Sequence, residues 1–399
     1  MPSPAYNHGV PHLPYYTPKH LTSPGTPTPN TPQNAIPTLF TPLTIRGTTL
    51  RNRIIVAPMC QYSTASSGPT TGALTDYHIA TLGHYALKGA ALIFIEATGV
   101  QANGRISPNC PGLWTDAQIP ALARIADFVK SQGALCGIQL AHAGRKAREI
   151  EELVRDWAAA AQRAVRAGVD VIEIHAAHGY LLHQFLSPVS NQRTDRYGGS
   201  FENRVRLLVE IITAIRGVIP EGMPLYLRIS STDWMEETDQ GKKFGSWDVE
   251  SSIRLAKMLP GLGVDLLDVS SGGNHPDQRI NMFDSKDYQI KIAAQIRNAI
   301  KQDNQSLFIG AVGLITEAEQ ARNIVQEDGA PAPKTGNTEL AKEAEAAVKV
   351  TEGKEPMADV VLVARQFMRE PEWVLKVAWQ LGLDVAWPNQ FLRVRFPKL

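Results

Sequence analysis

Beyond residue 37 the chain alternates short runs rich in Val, Ile and Leu with longer stretches in which apolar residues recur at helical spacing. The apolar runs fall at 54–59, 91–98, 135–142, 169–177, 225–231, 264–271, 307–313 and 359–367. They are short and rich in β-branched residues, so they are read as buried strands. Amphipathic stretches at 119–131, 149–167, 201–218, 247–259, 286–300 and 316–326 are among the helices between them, several opened by Ser, Thr or Asp caps. Alternation of this kind predicts parallel strands joined by helices, and eight repeats predict closure into a TIM (β/α)8 barrel in a single domain. An open doubly wound sheet shares the alternation, but it carries a glycine-rich turn after its first strand, where this chain has Ala57-Pro58-Met59-Cys60.

Two regions stand outside that pattern. Residues 1–37 are dense in Pro, Thr and Ser with few large aliphatics. Such a segment buries too little surface to offset the entropy of ordering it, so the expectation is a disordered leader, with the barrel over 38–399. Residues 328–357, rich in Ala, Glu and Lys, precede the last strand and are expected as an insertion at the bottom of the barrel.

Composition narrows the partners. With 399 residues, 43% of them hydrophobic, the chain can enclose one large core. Its formal charge of +1 supplies no broad field for nucleic acid or an anionic membrane, which leaves small molecules. No apolar run approaches the roughly 20 residues that span a bilayer, and the opening residues lack the order of a secretory signal. The expected location is cytoplasmic, with Pro397-Lys398-Leu399 a weak form of the peroxisomal Ser-Lys-Leu address. Cys60, Cys110 and Cys136 show none of the close pairing that a zinc site, iron–sulfur cluster or disulfide framework requires.

Polar residues gather at the carboxyl ends of the predicted strands, where barrel enzymes place their chemistry. Cys60 and Tyr62 follow the first strand, Gln139 and His142 lie in the third, His175, His178 and Tyr180 close the fourth, and Arg228 sits in the fifth. Inside Leu225-Tyr226-Leu227-Arg228-Ile229 an unpaired guanidinium would be costly, so Arg228 calls for a negative partner. A cofactor with an electron-rich edge answers that need; an internal carboxylate such as Glu173 is the alternative. His175-Ala176-Ala177-His178-Gly179-Tyr180 sets two imidazoles and a phenol where they can serve one anionic oxygen. A metal site and ordinary core histidines are the competing readings. Gly310-Ala311-Val312-Gly313 and Ala364-Arg365 end the last two strands, the usual phosphate grip of this fold. There small residues admit backbone N–H groups and Arg365 can bind bidentately.

Three stretches carry a resemblance: Ala57-Pro58-Met59-Cys60-Gln61-Tyr62, Gly137 through Lys146, and the run from Glu173 to Asn203 that contains His-Ala-Ala-His-Gly-Tyr and Arg-Tyr-Gly-Gly-Ser. They resemble the old yellow enzyme family of FMN-dependent ene-reductases in its thermophilic-like branch, over most of residues 39–395. The resemblance implies bound FMN contacted by Ala57, Pro58, Met59, Cys60, Ala97, Gln139, Arg228, Ala364 and Arg365, with Gly313 in the phosphate grip. It implies that Tyr62, His175 and His178 bind the substrate oxygen, that Tyr180 is the proton donor and that Cys60 tunes the flavin. NADPH or NADH would supply hydride for the C=C bond of an α,β-unsaturated carbonyl compound, both substrates using one pocket. Arg393 matches an arginine that reaches into a neighbouring subunit's site, which makes a homodimer an expectation and Arg393 a substrate-binding candidate.

One departure is large. The family carries a capping excursion after the third strand, whereas here Ala147-Arg148-Glu149 leads straight into the next helix, and Ala364 replaces a more usual glycine. The alternative function is therefore a flavin-binding barrel whose catalysis is impaired by loss of the cap. A flavin-free barrel lyase using His175 or His178 as base is a third reading.

Overall fold

The first strand pair is a plug. β1 (Leu43–Ile45) and β2 (Thr48–Leu50) form an antiparallel hairpin, and its Ile45 and Leu50 pack with Leu92, Tyr226 and Leu266 of the barrel lining. Arg46 at the hairpin tip reaches Asp265 and the Glu221 carbonyl, which precede two barrel strands, so the hairpin closes the amino-terminal end.

The computed structural model describes residues 8–144, 150–280, 286–326 and 355–397. Eight parallel strands close on themselves: β3 (Ile54–Val56), β4 (Leu92–Gly99), β5 (Leu135–Ala141), β6 (Val171–Ala176), β7 (Leu225–Ser230), β8 (Leu266–Ser270), β9 (Phe308–Val312) and β10 (Val360–Val363). Pairing of β10 with both β3 and β9 completes the ring. Nearly every strand residue is buried, as expected where strands are covered inside by one another and outside by helices. The helix Ile119–Ser131 occupies its predicted span. The eighth strand is shorter than expected, because Arg365–Arg369 turns into a short helix.

Small residues make room inside. A Cβ on Gly137 would meet the Phe94 ring at 2.6 Å, and one on Gly310 would meet Leu362 at 2.4 Å, so glycine at these levels lets larger neighbours fill the lining.

The expected disordered leader is corrected over its described part, residues 8–37. Gly25 N–H donates to the Ala386 carbonyl at 2.9 Å, Ala386 N–H returns a bond to Thr26 at 2.8 Å, and Thr28 N–H reaches Asp384 at 3.0 Å. Asn52 Nδ2 ties the carbonyls of Gly25 and Gly89 together, an approach so close that a Cβ on Gly25 would lie 2.6 Å from the Gly89 oxygen. Composition misled because the segment builds no core of its own; its backbone groups find partners on a barrel that folds regardless. Residues 1–7, the short connection at 147–149, and the expected insertion except for 355–357 lie outside the described residues. Among the described residues no helix is long and apolar enough to cross a membrane.

Candidate active site

Strand parity builds the site. Inward residues alternate along each strand, and toward the amino-terminal end they are apolar: Ile55, Leu92, Val171, Tyr226, Leu266 and Val360 share one cluster. One step further on, Gln139, Glu173, Arg228 and Asp268 form a buried polar level. Beyond them His175, Ser230 and Ser270 stand at the carboxyl ends, with Ser230 and Ser270 in register.

Arg228 is 5% exposed and finds its anion inside the barrel. Its Nε donates to Asp268 Oδ2 at 2.5 Å, and Glu173 Oε1 lies 3.9 Å away. Gln139 Nε2 donates to the same Glu173 oxygen at 2.8 Å. An internal anion is therefore present whether or not a cofactor edge adds to it, and its chief carboxylate is Asp268 rather than the Glu173 considered from sequence. Two carboxyl groups thus face one guanidinium. Burial pushes Glu173 up to about 8, with nearby Asp268 adding to the rise against the pull of Arg228. Asp268 is raised as well, again chiefly by burial, so the two carboxyl groups compete for one guanidinium.

The turn after β6 is tightly constrained. His178 and Gly179 adopt φ of 59° and 74°, and a Cβ on Gly179 would sit 2.3 Å from the Gly273 carbonyl oxygen, so only glycine fits. Gly179 N–H donates to His183 Nδ1 at 3.0 Å, while His183 Nε2 lies 2.8 Å from Asp233 Oδ1, both side chains fully buried. Asp233 also accepts from Ser187 Oγ and Trp247 N–H, anchoring the turn to the neighbouring loop.

On that turn the His175 ring lies edge-on to His178 at 5.3 Å and to Tyr180 at 5.0 Å between centroids. Burial drives His175 well below the usual imidazole range and lowers His178 to about 3, neighbouring Arg228 adding in each case. Both imidazoles are therefore neutral near pH 7. Burial pushes the Tyr180 phenol up to about 12, with Cys60, Tyr62 and Cys110 contributing, so it holds its proton and faces the first strand's loop.

That loop runs through Ala57, Pro58, Met59 and Cys60 to Tyr62. Ala57 N–H bonds the Val363 carbonyl at 2.9 Å and Gln61 N–H bonds Glu96 Oε1 at 2.9 Å, fixing both ends. Burial pushes the Cys60 thiol up to about 12, helped by Glu96 and Cys110, so it is a neutral thiol rather than a thiolate. Tyr62 is half exposed with φ of 52°, a conformation that bulky residues adopt mainly where a site demands it. Ala97 is buried in β4 beside this loop.

The ends of β9 and β10 are neighbours through their pairing. Gly313 has φ of 110°, and a Cβ there would meet Gln289 Nε2 at 2.4 Å. Ala364 has φ of −110° and ψ of −97°, between the helical and extended regions. Arg365 is exposed and makes no ion pair or side-chain hydrogen bond among the described residues, which leaves its guanidinium for an anion.

Two sequence candidates stand elsewhere. His142 turns aside, its ring packed against Gly104 and bonded to Gln101 at 3.1 Å. Arg393 is exposed in the 3-10 helix Asn389–Val394, whose Phe391 lies under Lys88 at the end of the helix Asp76–Leu87. Sequence reasoning missed Asp268, Ser230, Ser270 and the His183–Asp233 pair. For the first three a signal existed: they share inward parity with Arg228 and His175.

A family described as NADH:flavin oxidoreductase / NADH oxidase matches residues 38–149 and 146–355, two stretches that meet at the short connection after the third predicted strand. An NADH:flavin oxidoreductase from Gibberella zeae is 42% identical over 424 residues, covering 94% of this chain and 92% of its own. NADPH dehydrogenases from Bacillus velezensis and Bacillus subtilis are each 38% identical, covering 89% of this chain and 98% of theirs. Among solved structures, morphinone reductase superposes with a TM-score of 0.61 at 25% identity, over 88% of this chain and 92% of its own. An old yellow enzyme homologue from Zymomonas mobilis has the same fold, with a TM-score of 0.62 at 24% identity over 91% of this chain and 97% of its own.

Proposed function

This chain belongs to the NADH:flavin oxidoreductase / NADH oxidase family, that of the old yellow enzymes, and on that premise we propose that it reduces the C=C bond of α,β-unsaturated carbonyl compounds. As a family member it is an FMN-dependent oxidoreductase that draws on NAD(P)H.

The residues fit FMN. Among the described residues Arg365 has no anionic partner beside the open backbone of Gly313, which suits a phosphate. Gln139 Oε1 and Arg228 Nη1 make no hydrogen bond among the described residues, which suits the polar edge of a flavin. Ala57, Pro58, Met59, Cys60, Ala97 and Ala364 would line the ring, a set of small or neutral side chains that admits a flat heterocycle. Held by these residues, FMN would supply the hydride chemistry that links NAD(P)H to the β-carbon of the acceptor.

The chain's own groups then supply charge and a proton. His175 and His178, both neutral, donate hydrogen bonds to the carbonyl oxygen as negative charge grows there. Tyr62 borders the same space and helps to seat the acceptor. Tyr180, its phenol protonated throughout the physiological range, delivers a proton to the α-carbon. The observation that carries this reading is the ring cluster at the end of β6, where His175 lies edge-on to His178 at 5.3 Å and to Tyr180 at 5.0 Å.

The test has two steps. Purified protein offered FMN should turn yellow, and its NADPH oxidation should accelerate when cyclohexenone is added. Yellow protein with no acceleration leaves only a flavin binder; colourless protein overturns the FMN assignment as well.

A further inference from the structure

Two neutral imidazoles can serve one oxygen only if each carries its single proton on the nitrogen that the oxygen meets; a lone pair in either place would repel it. His175 meets that condition through the backbone: Ala177 N–H donates to its Nδ1 at 3.3 Å, so the proton resides on Nε2. Among the described residues His178 has no such backbone donor on its ring. Its Nε2 lies 2.7 Å from Ser270 Oγ, on the strand two positions away.

The direction of that hydrogen bond follows from what the two serines beside it can do. Ser230 Oγ donates to the Gly272 carbonyl at 2.7 Å and accepts from His178 N–H at 2.9 Å, so its proton is committed. Ser270 is 5% exposed, and among the described residues His178 Nε2 is the acceptor within reach of its hydroxyl. Were Nε2–H the donor instead, the buried Ser270 proton would be stranded without a partner, which is the costlier arrangement. Neither His175 Nε2 nor His178 Nδ1 is sealed off in the interior, and neither has a partner among the described residues.

We propose that Ser270 is a positioning residue that donates to His178 Nε2 and thereby fixes the Nδ1–H tautomer, completing with His175 Nε2–H a two-donor cradle for an anionic or carbonyl oxygen. This inference rests on the enone-reductase reading for the identity of the ligand, but not for the tautomer. Ser230 holds the His178 backbone in place and Ser270 sets which ring nitrogen donates, so the two hydroxyls have separate tasks.

The test uses the FMN-loaded full chain with ¹⁵N-labelled histidine, whose long-range ¹H–¹⁵N couplings distinguish the tautomers, and p-nitrophenolate as the oxyanion probe. In the wild-type chain His178 should be Nδ1–H and His175 Nε2–H. Ser270→Ala should release His178 to the Nε2–H form and weaken p-nitrophenolate by about tenfold, the usual worth of one hydrogen bond to a charged oxygen. Ser270→Thr, which keeps the hydroxyl, should restore both. A wild-type His178 found as Nε2–H overturns the proposal, as does a Ser270→Ala protein with unchanged tautomer and affinity. Correct tautomers with no affinity for p-nitrophenolate overturn the oxygen-cradle role, and cyclohexenone turnover then tells whether the enone reading falls with it.

Discussion

Replacing Asp268 by Asn removes the chief counter-ion of a guanidinium that is 5% exposed. Breaking a buried pair in this way ordinarily costs about 3–5 kcal/mol, since the remaining charge is left uncompensated. Here a reserve exists. Glu173 is held near 8 and is protonated at pH 7, with Oε1 already 3.9 Å from the Arg228 Nε. Removing the repelling Asp268 charge lowers the cost of ionising Glu173, so it can take over as counter-ion. Asp268→Asn should therefore cost only about 1–2 kcal/mol at pH 7. Glu173→Gln exchanges one neutral group for another and should cost under about 1 kcal/mol. The double variant has no reserve and should lose the full ~3–5 kcal/mol. Urea unfolding followed by tryptophan fluorescence measures all three, and singles that sum to the double within about 0.5 kcal/mol would refute the reserve. The pH dependence supplies a second check. Glu173 binds its proton more tightly in the folded chain than at its ordinary value of 4.5, so unfolding releases a proton between pH 4.5 and about 8. Stability from this group is full below that window and lost as pH rises through it. Glu173→Gln should flatten that decline.

Three further outcomes follow from the site. Tyr180→Phe should slow enone reduction by about a hundredfold, the worth of a general acid, while stopped-flow reduction of bound FMN by NADPH changes little; equal losses in both half-reactions contradict its role as donor. Arg365→Ala should weaken FMN by about ten- to a hundredfold, measured by fluorescence titration of the apoprotein, because a charge-assisted contact to phosphate is lost. Gly179→Ala places a methyl 2.3 Å from the Gly273 oxygen, so the turn must move. The loss in thermal stability should correspond to about 1–3 kcal/mol, with p-nitrophenolate affinity falling alongside it.

The barrel was legible because parallel strands buried on both faces leave continuous runs such as Leu225-Tyr226-Leu227 and Leu92-Ile93-Phe94, and because helices such as Ile119–Ser131 repeat at their own period. The position of Arg228 within such a run announced that an anion had to be near. Which anion was not legible, since Glu173 and Asp268 both have inward parity and only the register between strands brings Asp268 opposite Arg228. Ser270 was hidden for the same reason: a serine in a strand says nothing of the ring across from it. Composition failed for residues 8–37 because hydrogen bonds from main-chain atoms leave no trace in side-chain chemistry. Arg393 showed in sequence as a candidate for a neighbouring subunit's site, and in its own chain it stands exposed on the 3-10 helix Asn389–Val394.

The stitching of residues 25–28 to residues 384–386 has a practical corollary for anyone engineering this enzyme. The head of the polypeptide serves as the clasp for its tail, so trimming a proline-rich front that looks expendable would loosen the aromatic anchor around Trp387 and Phe396 and the arginine carried just before it. Because these flanking segments already run side by side, a short linker joining them and a new opening cut elsewhere on the surface would alter the barrel less than the deletion.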